Sequence, residues 1–115
     1  MDRLLIEGGK SLSGTVRVSG AKNAALPAMA AALLASGRTE LSNVPGLQDV
    51  RTMGRLLSHL GAEYDHNAEK CSIDTSRIGS HEAPYDLVKT MRASVLVLGP
   101  LAVFATESWP NDWVF

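Results

Sequence analysis

The spacing of apolar residues along the chain predicts several short strands before residue 80. Strand patterns, either a short apolar run or strict alternation, occur at residues 4–6, 15–19, 39–44, 62–65 and 71–74. Turn-forming glycine, serine, proline or asparagine residues lie between many of these segments. Only residues 66–69 separate the last two strands, which therefore form a predicted hairpin.

Three other segments show the i, i+3, i+4 spacing of helices. The first, at about residues 24–36, has alanine on the face opposite its leucines, so we expect it to be buried on every side. The second runs from about Gln48 to Leu60 and has one apolar stripe and one charged flank, and Gly61 ends it. The third opens at Pro84 and extends to about residue 100.

The order of these elements predicts an α/β (α+β) fold. Two strand–helix–strand units followed by a hairpin indicate a mixed sheet with the first two helices on one face. One such unit does not cover the apolar surface of its own helices, and the sequence contains no second copy of it.

Composition and charge exclude several classes of protein. The chain has 115 residues, which suffices for one small domain or a piece of a larger one. Its net charge is -1 and it has no basic run, which argues against a nucleic acid partner. The longest apolar stretch is too short to span a membrane. The N-terminus has no leader pattern and the single cysteine has no disulfide partner, so we expect a cytoplasmic protein.

Residues 19–27, SGAKNAALP, place a lysine between a strand pattern and a helix pattern. Gly20 permits a sharp turn, Asn23 can cap a helix, and Pro27 is tolerated only near a helix start. Lys22 is therefore predicted at a strand-to-helix junction, where free N–H groups and the helix dipole attract an anion. The alternative is a solvated lysine in a turn, which local sequence alone favours.

Three blocks of this sequence resemble the enolpyruvyl transferases. They are SGAKNAALP at residues 19–27, Asn43-Val44-Pro45 followed by Asp49-Val50, and APYDLVKTMRAS at residues 83–94. The shikimate-pathway branch of that family has a lysine at the same point but continues with a serine-rich run. This chain has Asn23-Ala24-Ala25 instead and is more similar to the branch that acts on UDP-N-acetylglucosamine in peptidoglycan synthesis. The resemblance extends from about Leu4 to about Leu101.

The resemblance implies both a fold and a reaction. The fold is the βαβαββ unit of the family's inside-out α/β barrel, here incomplete. The reaction is transfer of the enolpyruvyl group from phosphoenolpyruvate to the 3-hydroxyl of UDP-N-acetylglucosamine, by addition and then elimination of phosphate. Several cations and N–H donors must neutralise the substrates' phosphates and carboxylate. No cofactor is implied.

The same resemblance assigns individual residues. Lys22 and Asn23 match positions that bind phosphoenolpyruvate, and Arg92 matches the arginine on the UDP-N-acetylglucosamine side. Their alternative roles are a turn lysine, a helix cap and a charge on a helix flank. Lys89, one turn before Arg92, is interpreted as structural or secondary. Cys71 lies in a strand and matches no motif, so we interpret it as a packing residue rather than the family's cysteine general acid.

The histidines and the C-terminal tail complete the expectations. The spacing of His59, His66 and His81 fits no metal site. The resemblance divides the chain into residues 1–21, strands that would belong to the family's second lobe, residues 22–103 of the first lobe, and a divergent tail at 104–115. Both tryptophans lie in this tail, and the loop of the cysteine general acid is missing, so we expect a truncated family member, with a frameshift near residue 103 as one cause.

Two alternatives to an enzyme of the UDP-N-acetylglucosamine branch stay open. The chain could be a non-catalytic interaction module or one half of a split enzyme, whose partner would be the missing remainder. It could also be a shikimate-pathway relative, which Asn23-Ala24-Ala25 disfavours. Under the leading interpretation, a truncated member of the UDP-N-acetylglucosamine branch, we expect the isolated chain to be incompetent for turnover.

Overall fold

A computed structural model describes residues 2–79, 85–89 and 96–101 of the chain. Its elements are α1 (Lys22–Ala31), a 3-10 turn (Ala32–Leu34), β1 (Arg38–Leu41), α2 (Gln48–Leu60), β2 (Glu63–Asn67), β3 (Lys70–Asp74) and α3 (Tyr85–Val88). A further helical turn occupies residues 96–101. These last two segments agree with the predicted third helix, and the residues between them lie outside the described part of the chain.

The three strands form a sheet in the order β1-β3-β2, with both pairings antiparallel. The hairpin places β3 beside β2. The β1–α2–β2 connection leaves β1 and β2 one strand apart, and β3 lies between them. The predicted mixed sheet is therefore wrong for the described residues. The hairpin itself is confirmed, with His66 opposite Cys71 and Tyr64 opposite Ile73.

Strand alternation and the two long helices create one core. Cys71 and Ile73 of β3 are buried at 1% and 0% exposure, while their neighbours on β3 are more exposed, so one face of the sheet meets the helices. The apolar stripe of α2 supplies fully buried residues to the same core, each worth roughly 1.5–3 kcal/mol of burial. The prediction of both helices on one face is confirmed. The core comprises Ala25, Leu26, Met29, Ala30, Ala32, Leu33, Val44, Val50, Met53, Leu56, Leu57, Leu60, Ala62, Cys71, Ile73, Val97 and Leu101.

Helix α2 has the predicted bounds. Gly61 follows it with φ 108°, a conformation in which glycine lacks the penalty of a side chain. The N–H of Ala62 donates to the carbonyl of Leu57, and that of Gly61 to Ser58, so the last turn is closed by a Schellman motif.

Helix α1 differs from its prediction in two respects. It begins at Lys22, and its N-cap is Ala21 without a side-chain hydrogen bond, so Asn23 does not take its alternative role as a helix cap. It is also not buried on every side. Its inner face is in the core, but Asn23, Ala24 and Pro27 are exposed, because α2 and the sheet cover only one side of it.

Residues 2–20 contain no strand, so the predicted strands at 4–6 and 15–19 do not form in this chain. A strand needs a neighbour for its backbone hydrogen bonds, and the described sheet gives these residues none. Their apolar side chains are accordingly 78–97% exposed; they are Leu4, Leu5, Ile6, Leu12, Val16 and Val18. No helix in the described part of the chain is long and apolar enough to cross a membrane.

Candidate anion-binding site

Lys22 is the first residue of α1, so the helix half of the predicted strand-to-helix junction is confirmed, whereas no strand precedes it among the described residues. Ala21 is extended, with φ -84° and ψ 134°, and its carbonyl accepts hydrogen bonds from the N–H groups of Ala24 and Ala25. The earlier N–H groups, those of Lys22 and Asn23, have no carbonyl within the helix to bond. The helix start therefore carries two backbone donors without a helical acceptor and one ammonium group, a combination that favours an anion.

The backbone just before Lys22 is clamped to the segment that follows β1. The N–H of Gly20 donates to Oδ1 of Asn43 at 3.0 Å, and Nδ2 of Asn43 donates to the carbonyl of Val18 at 3.5 Å. A Cβ on Gly20 would lie 1.7 Å from the backbone oxygen of Asn43, so only glycine allows this approach. The position of Lys22 thus depends on a segment more than twenty residues further along the chain.

That segment is itself tied to the hairpin. The N–H of Val44 donates to the carbonyl of Glu69 at 2.9 Å, and Nε2 of His66 lies 3.3 Å from the carbonyl of Val44. Asn43 has φ 57°, a left-handed conformation in which asparagine is enriched. A cavity of about 190 Å³ lies between residues 41–44 and the alanine face of α1. The clamp is therefore part of the folded unit rather than a free loop.

The ammonium of Lys22 meets a carboxylate from the second helix. Nζ of Lys22 lies 2.8 Å from Oδ2 of Asp49, and the two side chains are 44% and 37% exposed. Asp49 lies in the first turn of α2, so this ion pair brings the N-termini of both helices together. Their positive ends reinforce each other at this point, and Asp49 is the negative charge in contact with them.

The other predicted site residues have different outcomes. Asn23 is exposed in the first turn of α1, next to Lys22. Arg92 lies outside the described residues. Lys89 is exposed and pairs with Asp86 at 2.7 Å, with its ammonium 5.5 Å from the ring centre of Tyr85. These contacts agree with a structural or secondary role for Lys89.

Cys71 is a buried packing residue, as predicted. It lies in β3 at 1% exposure, and burial, with a smaller effect of the nearby Asp65 charge, raises the pKa of its thiol to about 11. A thiol of that pKa is protonated at neutral pH and is a poor nucleophile. His59 is exposed, and His66 contacts a backbone carbonyl, so neither lies in a metal cluster of the described residues.

Sequence reasoning missed two members of the site, Asn43 and Asp49. Both belong to the second of the three blocks that resemble the enolpyruvyl transferases, but no sequence pattern indicates that this block lies near Lys22 in the fold. An asparagine before Val-Pro and an acid in the first turn of a helix are each common as local features. Their joint contact with residues 20–22 is a tertiary feature.

Comparison with solved structures identifies the class of protein. The chain resembles the crystal structure of the enolpyruvyl transferase NikO from Streptomyces tendae, with a TM-score of 0.72 and 30% identity. The likeness covers 88% of this chain and 23% of that one. A unit of strands and two packed helices, with a lysine at the start of the first helix, is therefore the fold of an enolpyruvyl transferase segment.

The family follows from the sequence. The EPSP synthase (3-phosphoshikimate 1-carboxyvinyltransferase) family matches residues 6–114, and the chain belongs to this family. It is 58% identical over 101 residues to the UDP-N-acetylglucosamine 1-carboxyvinyltransferase of Desulfatibacillum aliphaticivorans. It is 52% identical to that of Desulfosudis oleivorans and 57% to that of Halorhodospira halophila. The chain spans about a quarter of the length of these relatives, since each match covers 88% of this chain and 24% of the relative.

Proposed function

We propose that this chain is part of an enolpyruvyl transferase that transfers the enolpyruvyl group of phosphoenolpyruvate to the 3-hydroxyl of UDP-N-acetylglucosamine. This transfer is the first committed step of peptidoglycan synthesis. The observation that carries the proposal is the position of Lys22, at the meeting point of two helix N-termini in a chain 52–58% identical to enzymes of that name. The substrates imply a cytoplasmic location, because both are charged metabolites of that compartment.

In this proposal Lys22 contacts the anionic oxygens of phosphoenolpyruvate. A compact ammonium on a flexible stem suits a point contact with crowded phosphate and carboxylate oxygens. The N–H groups of Lys22 and Asn23 add donors from the helix start, and the amide of Asn23 can donate to the same substrate. Arg92 is proposed to bind the UDP-N-acetylglucosamine side with its guanidinium group. The role of Asn23 and the role of Arg92 are both inferred from the resemblance to the enolpyruvyl transferases.

The reaction also needs groups that the resemblance places on no residue of this chain. The hydroxyl adds to C2 of phosphoenolpyruvate while C3 is protonated, and phosphate then leaves. The cysteine that acts as general acid in the family has no counterpart here, because Cys71 is buried in β3 at 1% exposure and cannot reach a substrate. We therefore propose that residues 1–21 complete a second lobe and that the remainder of the enzyme supplies the other catalytic groups.

The test separates binding from turnover in the purified chain. Phosphoenolpyruvate is titrated while the backbone amides of Lys22 and Asn23 are followed by NMR, and phosphate release is measured with UDP-N-acetylglucosamine present. We expect saturable shifts whose affinity falls by about a hundredfold in Lys22→Ala and is unchanged in Lys70→Ala, since Lys70 is an exposed residue at the start of β3. Phosphate release is expected to be absent.

Two results would contradict the proposal. One is the lack of any specific shift at the start of α1, which would remove the anion site. The other is turnover by the isolated chain that depends on Lys22, which would show that no remainder is needed. A parallel titration with shikimate 3-phosphate discriminates the two branches of the family, because only a shikimate-pathway relative should bind it.

A non-catalytic interaction role is supported by one observation, the exposed apolar side chains of residues 2–20. Exposed apolar groups of this number favour association with another chain. Size-exclusion chromatography with light scattering tests it, and a stable monomer at all concentrations would weigh against an interaction module.

A further inference from the structure

We propose that Asp49 is a positioning residue for the phosphoenolpyruvate site, holding the ammonium of Lys22 at the meeting point of the two helix N-termini. This inference rests on the proposed function, because it concerns the same site. It assigns to Asp49 no contact with the substrate. A carboxylate next to an incoming phosphate would repel it, so its effect must pass through Lys22.

The first argument is the setting of this ion pair. The side chains of the other ion pairs among the described residues are more exposed than those of Lys22 and Asp49. They are Arg17 with Glu69 (77% and 50%), Arg38 with Glu40 (63% and 76%) and Lys89 with Asp86 (49% and 84%). Lys22 and Asp49 are 44% and 37% exposed and join two separate helices at 2.8 Å. Partial burial weakens solvent screening, so this pair restrains its partners more than the others do.

The second argument is that both ends of the pair are anchored. The backbone before Lys22 is fixed by the contact of Gly20 with Asn43, and Asp49 belongs to the first turn of a helix whose inner face is fully buried. A lysine side chain alone has four flexible bonds and samples many positions. A carboxylate held by a rigid helix restricts the ammonium to one region before any ligand arrives.

The third argument is charge. An uncompensated ammonium beside two converging helix N-termini would be repelled by their positive ends. Asp49 offsets that repulsion, so the ammonium of Lys22 can stay beside the N-termini of the two helices. Preorganisation of this kind favours binding because the ordering of the side chain precedes the arrival of the ligand.

The test is a double-mutant cycle on the full 115-residue chain, with phosphoenolpyruvate as the probe and NMR shifts as the signal. We expect Asp49→Asn to weaken binding by about tenfold and to have no further effect in the Lys22→Ala background. Asp49→Glu should recover part of the affinity, because the carboxylate is kept. Glu40→Gln is the matched control, since it breaks the exposed Arg38–Glu40 ion pair with the same loss of charge and should leave binding unchanged.

Each outcome decides the proposal. Equal or tighter binding by Asp49→Asn would overturn it, because the carboxylate would then be neutral or inhibitory. Additive effects of the two substitutions would also overturn it, since a merely structural role acts independently of Lys22.

A second readout separates this proposal from the proposed function. The side-chain ammonium signal of Lys22 in the ligand-free chain should be sharp in the wild type and broadened by exchange in Asp49→Asn. If the wild type binds no phosphoenolpyruvate, the proposed function fails, and this signal alone decides whether Asp49 positions the lysine. An unchanged signal in Asp49→Asn would refute the positioning role.

Discussion

Gly20→Ala tests the clamp that holds the start of α1. Ordinary van der Waals contact begins near 3.4 Å, whereas a Cβ on Gly20 would lie 1.7 Å from the backbone oxygen of Asn43. The two backbones must therefore separate by about 1.7 Å to restore an ordinary contact. The hydrogen bond from the Gly20 N–H to Asn43, 3.0 Å long, does not survive such a shift.

The structure limits how much stability this substitution removes. Residues 2–19 are exposed and outside the sheet, so they can move away without disturbing the core. The loss then consists of the two exposed hydrogen bonds that join Asn43 to Gly20 and Val18, together with a small packing contribution, giving a total of about 1–2 kcal/mol. This is smaller than the roughly 5–15 kcal/mol that stabilises a typical domain, so the chain should stay folded.

The same substitution should also weaken ligand binding. Lys22 follows two residues after Gly20, and its backbone is displaced with the clamp, so we expect phosphoenolpyruvate affinity to fall by about tenfold, equivalent to roughly 1.4 kcal/mol. Urea unfolding followed by far-ultraviolet circular dichroism measures the loss of stability, and NMR titration measures the loss of phosphoenolpyruvate affinity.

Gly46→Ala is the matched control for this experiment. Gly46 lies in the segment between β1 and α2 that also contains Asn43, and a Cβ on Gly46 would meet nothing within 4 Å. It should change stability by no more than about 0.5 kcal/mol and leave binding unaltered. Identical behaviour of Gly20→Ala and Gly46→Ala in both assays would refute the reasoning.

Three further predictions concern the core and its buried ionisable groups. Leu57→Ala should lower the free energy of unfolding by about 2–5 kcal/mol, because Leu57 is 0% exposed, whereas Leu34→Ala, at 54% exposure, should change it by about 0.5 kcal/mol or less. The Cys71 thiol should react with a disulfide reagent at pH 8 only when urea unfolds the chain, and rapid reaction of the native chain would contradict its burial. Burial raises the pKa of Cys71 from 9.0 to about 11 and that of Tyr64 from 10.0 to about 12, so their contribution to stability is complete below pH 9 and is lost as pH rises through 11 and 12. A urea midpoint that stays constant from pH 8 to above pH 12 would contradict the predicted loss of stability with rising pH.

The sequence predictions succeeded for elements that residues close together in the chain specify, and failed for elements that need a distant partner. Helix α2 has the predicted bounds because a strong apolar stripe and a terminal glycine at position 61 are local signals. The hairpin strands are likewise near their predicted positions, since alternation and a short turn are local too. The predicted strands in residues 4–6 and 15–19 failed because a strand is completed by a neighbour, which a local pattern does not supply.

The amino-acid sequence by itself determined that a lysine stands where a strand-like segment meets an alanine-rich helix, and that this segment resembles the enolpyruvyl transferases. Both conclusions depend only on residues adjacent in the chain. Tertiary structure decided which distant groups surround that lysine: Asn43, which fixes its backbone through Gly20, and Asp49, which holds its ammonium. The physical reason is that hydrogen bonds and ion pairs act over a few ångströms in space, and only the folded arrangement of α1, α2 and the segment between β1 and α2 brings these groups so near.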